Sequence, residues 1–169
     1  MKKVILIVSI VLALALVWFA ASFTRGIFTA KRTSTENLII TAHRGGAKLG
    51  AENSLDCFSK GIAAGATSVE IDVHITADNE IVVCHDPTVD RTTNGSGAIN
   101  DMTLEQIKAL RITNAKGELT ELQIPTLEEV LETINGEVEL LLEIKRKNDD
   151  NPGIEAVVLD IIKQYDALS

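Results

Sequence analysis

The chain has 169 residues, room for one domain of ordinary size, and carries 16 Lys and Arg against 24 Asp and Glu. All 24 acidic residues but 11 of the basic ones lie after Arg32, so residues 33–169 have a net charge of −13. Such an acidic domain argues against nucleic acid as a partner, because that binding rests on neutralising phosphates. An anionic substrate would need local cations here and could not rely on overall steering.

After a short tail (residues 1–3) with Lys2 and Lys3, no charge appears until Arg25. The apolar run over residues 4–24 is about long enough to cross a bilayer and longer than the usual core of an export signal, so it predicts a transmembrane anchor. A cleaved signal is the alternative, with Ala20-Ala21-Ser22 as a small-residue cleavage site. Lys2 and Lys3 favour a cytoplasmic start and an extracytoplasmic domain at the cell membrane, although Arg25, Lys31 and Arg32 weigh the other way. Residues 25–37 read as a juxtamembrane spacer and 38–169 as the folded domain.

Leu38-Ile39-Ile40-Thr41-Ala42 predicts a short strand buried on both faces and ending at His43. Ser54 can cap a helix from Leu55 that Gly65 closes. Ser68–Ile75 reads as a second strand with Val69, Ile71 and Val73 on one face and Glu70, Asp72 and His74 on the other. Asp78-Asn79 makes a turn into a short strand, Ile81–Cys84, that delivers His85 at a position equivalent to His43. Residues 86–100 read as a loop. Thr103 caps a short helix with Gln106 in the capping-box position, and Thr126 caps another that Asn135-Gly136 ends. Val138–Ile144 is a third main strand and Ile154–Tyr165 an amphipathic helix. Cys57 and Cys84 match no metal or redox spacing and are expected as small core residues.

Alternating strands and helices predict an α/β fold with a parallel sheet of TIM (β/α)8-barrel type, preceded by one transmembrane helix. A full barrel needs roughly 250 residues, so about three main βα units are expected here. Their open edge and apolar interior face would favour pairing with a second copy.

Glu70 and Asp72, two apart on a strand, project on one face, and Glu143 and Lys145 repeat that geometry. Three carboxylates from two strands suit one hard divalent cation, Ca2+ or Mg2+; the histidine spacing does not suit zinc. His43 and His85, each directly after an apolar run, can take and give protons near neutral pH. Arg44 and Lys145 can bind a phosphate, one as a fork and one as a point charge. Glu52 is ambiguous, Asn53 and Ser54 are expected to organise the helix start, and Arg91-Thr92-Thr93 line the site mouth or brace the loop. His74 has no assigned role. Together these residues point to metal-assisted cleavage of a phosphodiester.

The ordered set His43-Arg44-Gly45, Glu52-Asn53, Glu70-Ile71-Asp72-Val73, His85-Asp86, Asp90-Arg91-Thr92-Thr93-Asn94-Gly95, Ile124-Pro125-Thr126-Leu127 and Glu143-Ile144-Lys145 resembles the glycerophosphodiester phosphodiesterase family. The resemblance implies a TIM barrel that releases glycerol 3-phosphate and an alcohol from glycerophosphodiesters. It implies His43 and His85 as the acid–base pair, Glu70, Asp72 and Glu143 as ligands of one divalent ion, and Arg44 and Lys145 at the phosphate. It also implies that residues 86–123 are the family's small insertion. Two other readings stand beside it: a lysophospholipase D-like enzyme of the same superfamily, and an inactive half-barrel that serves as a binding or assembly module.

Overall fold

The computed structural model describes residues 14–19, 38–145 and 153–165. It separates into two units, Met1–Leu38 and Ile39–Ser169. In the first, residues 14–19 are helical (α1) and exposed. The remainder of the expected anchor over 4–24, and the spacer over 25–37, lie outside the described residues. Among the described residues no helix is long and apolar enough to cross a membrane.

The second unit is built around one strand. β2 (Ser68–Ile75) is buried along its whole length and pairs with β1 (Thr41–Ala42), β3 (Ile81–Val83) and β4 (Glu139–Ile144). Val69 faces both Ala42 and Leu140, and Val73 faces both Val83 and Ile144. β4 therefore runs along one edge of β2, while β1 and β3 share the other. β1, β2 and β4 are mutually parallel, as expected for βα units.

The helices follow their caps. Ser54 Oγ accepts from the Cys57 amide at the start of α2 (Leu55–Ala63). Thr103 and Gln106 form a reciprocal capping box on α3 (Leu104–Lys108), as Thr126 and Glu129 do on α4 (Leu127–Ile134). Asn135 ends α4 in the left-handed region at φ 46°. α5 (Ile154–Gln164) follows β4. Val69, Ile71 and Val73 of β2 pack on Phe58 of α2, Leu127 and Val130 of α4, and Ile154 and Val158 of α5, all buried. Each such side chain contributes about 1.5–3 kcal/mol. This apolar layer leaves the other face of β2, with Ser68, Glu70, Asp72 and His74, turned toward the site. A separate cluster of Val82, Cys84, Val89, Ile99, Ile107 and Ile112 holds the segment between β3 and α4 on its own small core. Cys57 and Cys84 are buried core residues, and burial pushes both thiols up to about 11.

Two expectations need correction. Leu38, Ile39 and Ile40 are exposed and outside the strand. β2 begins at Ser68, opposite Thr41, so residues 38–40 have no β2 ladder beside them; Ile40 is tied to the chain before β2 through Thr67 Oγ1 and the Thr67 and Ser68 amides. β3 is antiparallel to β2. His43 and His85 are thus not at equivalent strand ends. His43 leaves β1 at the level of Val69, and His85 follows Cys84, whose amide donates to the Asp72 carbonyl. The two reach the same stretch of β2 from opposite chain directions.

Candidate active site

The three expected carboxylates come together. Alternation puts Glu70 and Asp72 on one face of β2, and the β2–β4 register sets Asp72 directly opposite Glu143. One oxygen from each of Glu70, Asp72 and Glu143 lies within 4.8 Å of the others. Glu70 and Asp72 are buried and Glu143 is exposed. Asp72 Oδ1 is buried, with the Lys145 ammonium 2.9 Å away as its partner. An all-oxygen donor set of three converging carboxylates fits a hard divalent cation.

Lys145 also donates to Glu143 Oε1 at 2.6 Å. Burial opposes its charge, but Glu143 and Asp72 more than offset this and hold its pKa above the ordinary lysine value. A fixed positive charge therefore stands against two of the three carboxylates.

His43 opens a tight turn, His43–Gly45, in which Arg44 and Gly45 have φ of 51° and 77°, and Gly46 caps it at 93°. A left-handed Arg costs about 1–2 kcal/mol. What it produces is an Arg44 amide aimed at Glu70 Oε2, 2.8 Å away. Gly45 is required by space as well as by angle, since a Cβ there would lie 2.5 Å from the Phe58 ring. The His43 imidazole is largely exposed, with Nε2 3.8 Å from Glu70 Oε2. The Arg44 guanidinium donates to Glu52 Oε1 at 3.2 Å, and its Nε lies 4.0 Å from Asp72 Oδ2. That Nε is a buried donor without a hydrogen-bond acceptor, which an anionic oxygen would satisfy.

On the other side, His85 Nδ1 is 2.6 Å from Asp86 Oδ1. His85 and Asp86 are each about one-third exposed or less.

Five further residues hold this arrangement. Asn53, buried and left-handed at φ 56°, donates from Nδ2 to Asp72 Oδ2 at 3.2 Å and from its amide to the Arg44 carbonyl. Glu52, first read as ambiguous, bridges Arg44 and Arg91. Arg91 also grips Asp86. The Arg91 guanidinium holds the carboxyls of Glu52 and Asp86 below their ordinary ranges, Asp86 far below, and its own pKa rises in return. His74, assigned no role from sequence, places Nε2 3.3 Å from the His85 carbonyl. Burial lowers its pKa, and because a carbonyl oxygen only accepts, the ring donates its Nε2–H to it. Asp86 was legible as a neighbour of His85; the pairing of Arg91 with Glu52 spans 39 residues and leaves no local trace. A cavity of about 230 Å3 opens beside Glu52 and Arg91, lined also by Thr92, Thr113 and Asn114.

A family model described as the glycerophosphoryl diester phosphodiesterase family matches residues 43–168. A glycerophosphodiester phosphodiesterase of Caldanaerobacter subterraneus subsp. tengcongensis is 43% identical over 130 residues, covering 75% of this chain and 53% of that protein. A putative glycerophosphodiester phosphodiesterase of Bacillus subtilis is 39% identical over 129 residues, covering 76% and 53%. The fold also matches an Oleispira antarctica phosphodiesterase solved with the product sn-glycerol-3-phosphate. That match has a TM-score of 0.69 and 30% identity, covering 76% of this chain and 53% of the other. The chain spans about half the length of the curated relatives it matches.

Proposed function

The chain belongs to the glycerophosphoryl diester phosphodiesterase family, and on that footing we propose that it carries the catalytic half-site for hydrolysing glycerophosphodiesters to glycerol 3-phosphate and an alcohol. The observation that carries the reading is a buried guanidinium donor without an acceptor, set beside the acidic trio. Asp72 Oδ1 lies buried beside two more carboxylates and pairs with Lys145, and Arg44 Nε is a buried donor 4.0 Å from Asp72 Oδ2 with no hydrogen-bond acceptor. A phosphate oxygen held against a cation on the trio would give that Nε–H its acceptor. The product bound in the Oleispira antarctica relative supports the same substrate class.

In this reading Glu70, Asp72 and Glu143 hold one divalent ion, Ca2+ or Mg2+. When bound, such an ion supplies Lewis-acid stabilisation of charge on phosphoryl oxygens. Arg44 and Lys145 bind the phosphate, the first by its free Nε–H and the second as a point charge. Glu52 and Asn53 hold Arg44 and Asp72 in place. Of the two imidazoles, one removes a proton from the attacking oxygen while the other protonates the departing alcohol oxygen. Asp86, ionised and hydrogen-bonded to His85 Nδ1, leaves Nε2 of that ring as its proton-transferring atom.

The reading includes attachment to a membrane through residues 4–24 with the domain outside the cytoplasm, which rests on the apolar run and Lys2 and Lys3 alone. The test is hydrolysis of glycerophosphocholine by the full chain, before and after a chelator and after adding back Ca2+ or Mg2+. Loss on metal removal and recovery on replacement are expected. Undiminished turnover without metal would overturn the metal assignment, and no turnover under any condition would favour the reading of a binding module.

A further inference from the structure

Arg91 lies outside the acid–base pair, the acidic trio and the phosphate-binding residues, yet it touches the supports of both sides of the cleft. Its Nε donates to Asp86 Oδ2 at 2.6 Å and Nη2 to Asp86 Oδ1 at 3.2 Å. Nη2 also donates to Glu52 Oε1 at 2.7 Å and Nη1 to Glu52 Oε2 at 3.0 Å. One planar guanidinium thus forks onto two carboxylates at once, which Lys cannot reproduce. Each carboxylate then holds a residue of the site. Asp86 Oδ1 faces His85 Nδ1, and Glu52 Oε1 accepts from Arg44 Nη1.

We propose that Arg91 is the positioning residue that links the two sides of the cleft, setting the His85 tautomer through Asp86 and the Arg44 guanidinium through Glu52. The chemistry follows from the donor count. Asp86 is ionised and has no proton to give, so His85 Nδ1 must carry the hydrogen between them. Without Arg91 the Asp86 side chain loses its two donors and is free to turn toward water. The neutral imidazole then loses its Nδ1–H acceptor. Glu52 likewise loses its two Arg91 donors, and Arg44 Nε drifts from Asp72. The His74 hydrogen bond to the His85 carbonyl fixes the backbone of that residue but not its ring, so it cannot substitute.

The inference rests on the reading of His85 as a proton-transfer group, so its test reads the ring directly. The chain has three histidines, and two-bond 15N–1H ring spectra of the full chain report the tautomer of each at a pH where the ring is neutral. Side-chain Nε–H spectra report Arg44. In the unaltered chain His85 is expected as the Nδ1–H form. Asp86→Ala should move His85 to predominantly Nε2–H and leave Arg44 in place, while Glu52→Ala should shift Arg44 and spare His85. Arg91→Gln should move both. Should that variant not fold, Arg91→Lys keeps the charge without the fork and is expected to move both as well. An Arg91 variant with both signals at their original positions, or with one moved, overturns the proposal. A chain that shows the expected pattern but hydrolyses nothing upholds the positioning role and refutes the phosphodiesterase reading.

Discussion

At the scale of single residues, Asn53 shows how a side chain first read as a helix-start residue becomes part of the site. Its backbone is left-handed, its amide holds the Arg44 carbonyl and its Nδ2 holds Asp72. Asn tolerates that conformation better than Ala does, so Asn53→Ala loses a buried hydrogen bond and adds strain, a cost of about 1–3 kcal/mol. Asn53→Gly removes the same bond without the strain and should lie nearer the original in urea unfolding. Equal midpoints for the two variants would show that the backbone angle carries no cost. For the histidines, His43→Ala and His85→Ala are each expected to lower kcat by about 10²- to 10⁴-fold with the urea midpoint little changed. Variants that lose turnover by unfolding would refute the assignment.

Asp86 adds a pH dependence. The Arg91 guanidinium depresses its pKa in the folded chain, so its stabilisation is present above the unfolded carboxylate value of about 4 and is lost as pH falls through the depressed folded value. Glu52 is depressed in the same direction by the same partner. The urea midpoint of Asp86→Asn should therefore fall short of the unaltered chain at pH 7 by more than it does at pH 3. A gap that does not narrow on acidification would mean that the ion pair adds no net stability.

At the scale of elements, α2 is placed by what it lacks. A Cβ on Gly61 would lie 2.7 Å from the Gly45 carbonyl oxygen and 3.1 Å from Ala42 Cβ. Gly61 thus lets α2 seat against the turn that presents His43 and Arg44. Gly61→Ala sits in a helix where Ala is otherwise preferred, yet it should destabilise by about 1–3 kcal/mol through overpacking. It should also lower turnover, because the turn must yield; a stabilised variant would sink this account of the contact. The helices were legible from sequence because caps and period act locally. The direction of β3 is legible from length: five residues separate Ile75 from Ile81, enough for a turn at Asp78-Asn79 and too few for a parallel crossover. Asn79 takes the φ of 66° that this turn needs. The shortness of β1 was not legible, because the apolar run over 38–42 does not reveal where its partner strand begins. The acidic trio followed from alternation along two strands. Its braces did not, since Glu52 with Arg91 and Asn53 with Asp72 are joined by folding alone.

At the scale of the whole molecule, the face expected to be an apolar interior is polar along β2, where Ser68, Glu70, Asp72 and His74 alternate with the residues of the core. What remains open is β4. Its pairing among the described residues is with β2 alone, and Leu141 is 57% exposed. The Glu139 and Lys145 amides donate toward β2, to the carbonyls of Thr67 and Val73. The period of two then turns the Leu141 and Glu143 amides the same way and leaves those of Leu140, Leu142 and Ile144 pointing outward. Unpaired strand amides beside apolar side chains are a template for another strand. If a second copy supplies it, amide exchange at Leu140, Leu142 and Ile144 should slow as protein concentration rises, while Leu141 and Glu143 stay protected throughout. Leu141→Lys, which sets a charge on the open edge, should abolish the concentration dependence and reduce the sedimenting mass to that of one chain. Outward amides that exchange fast at every concentration would refute self-association through this edge.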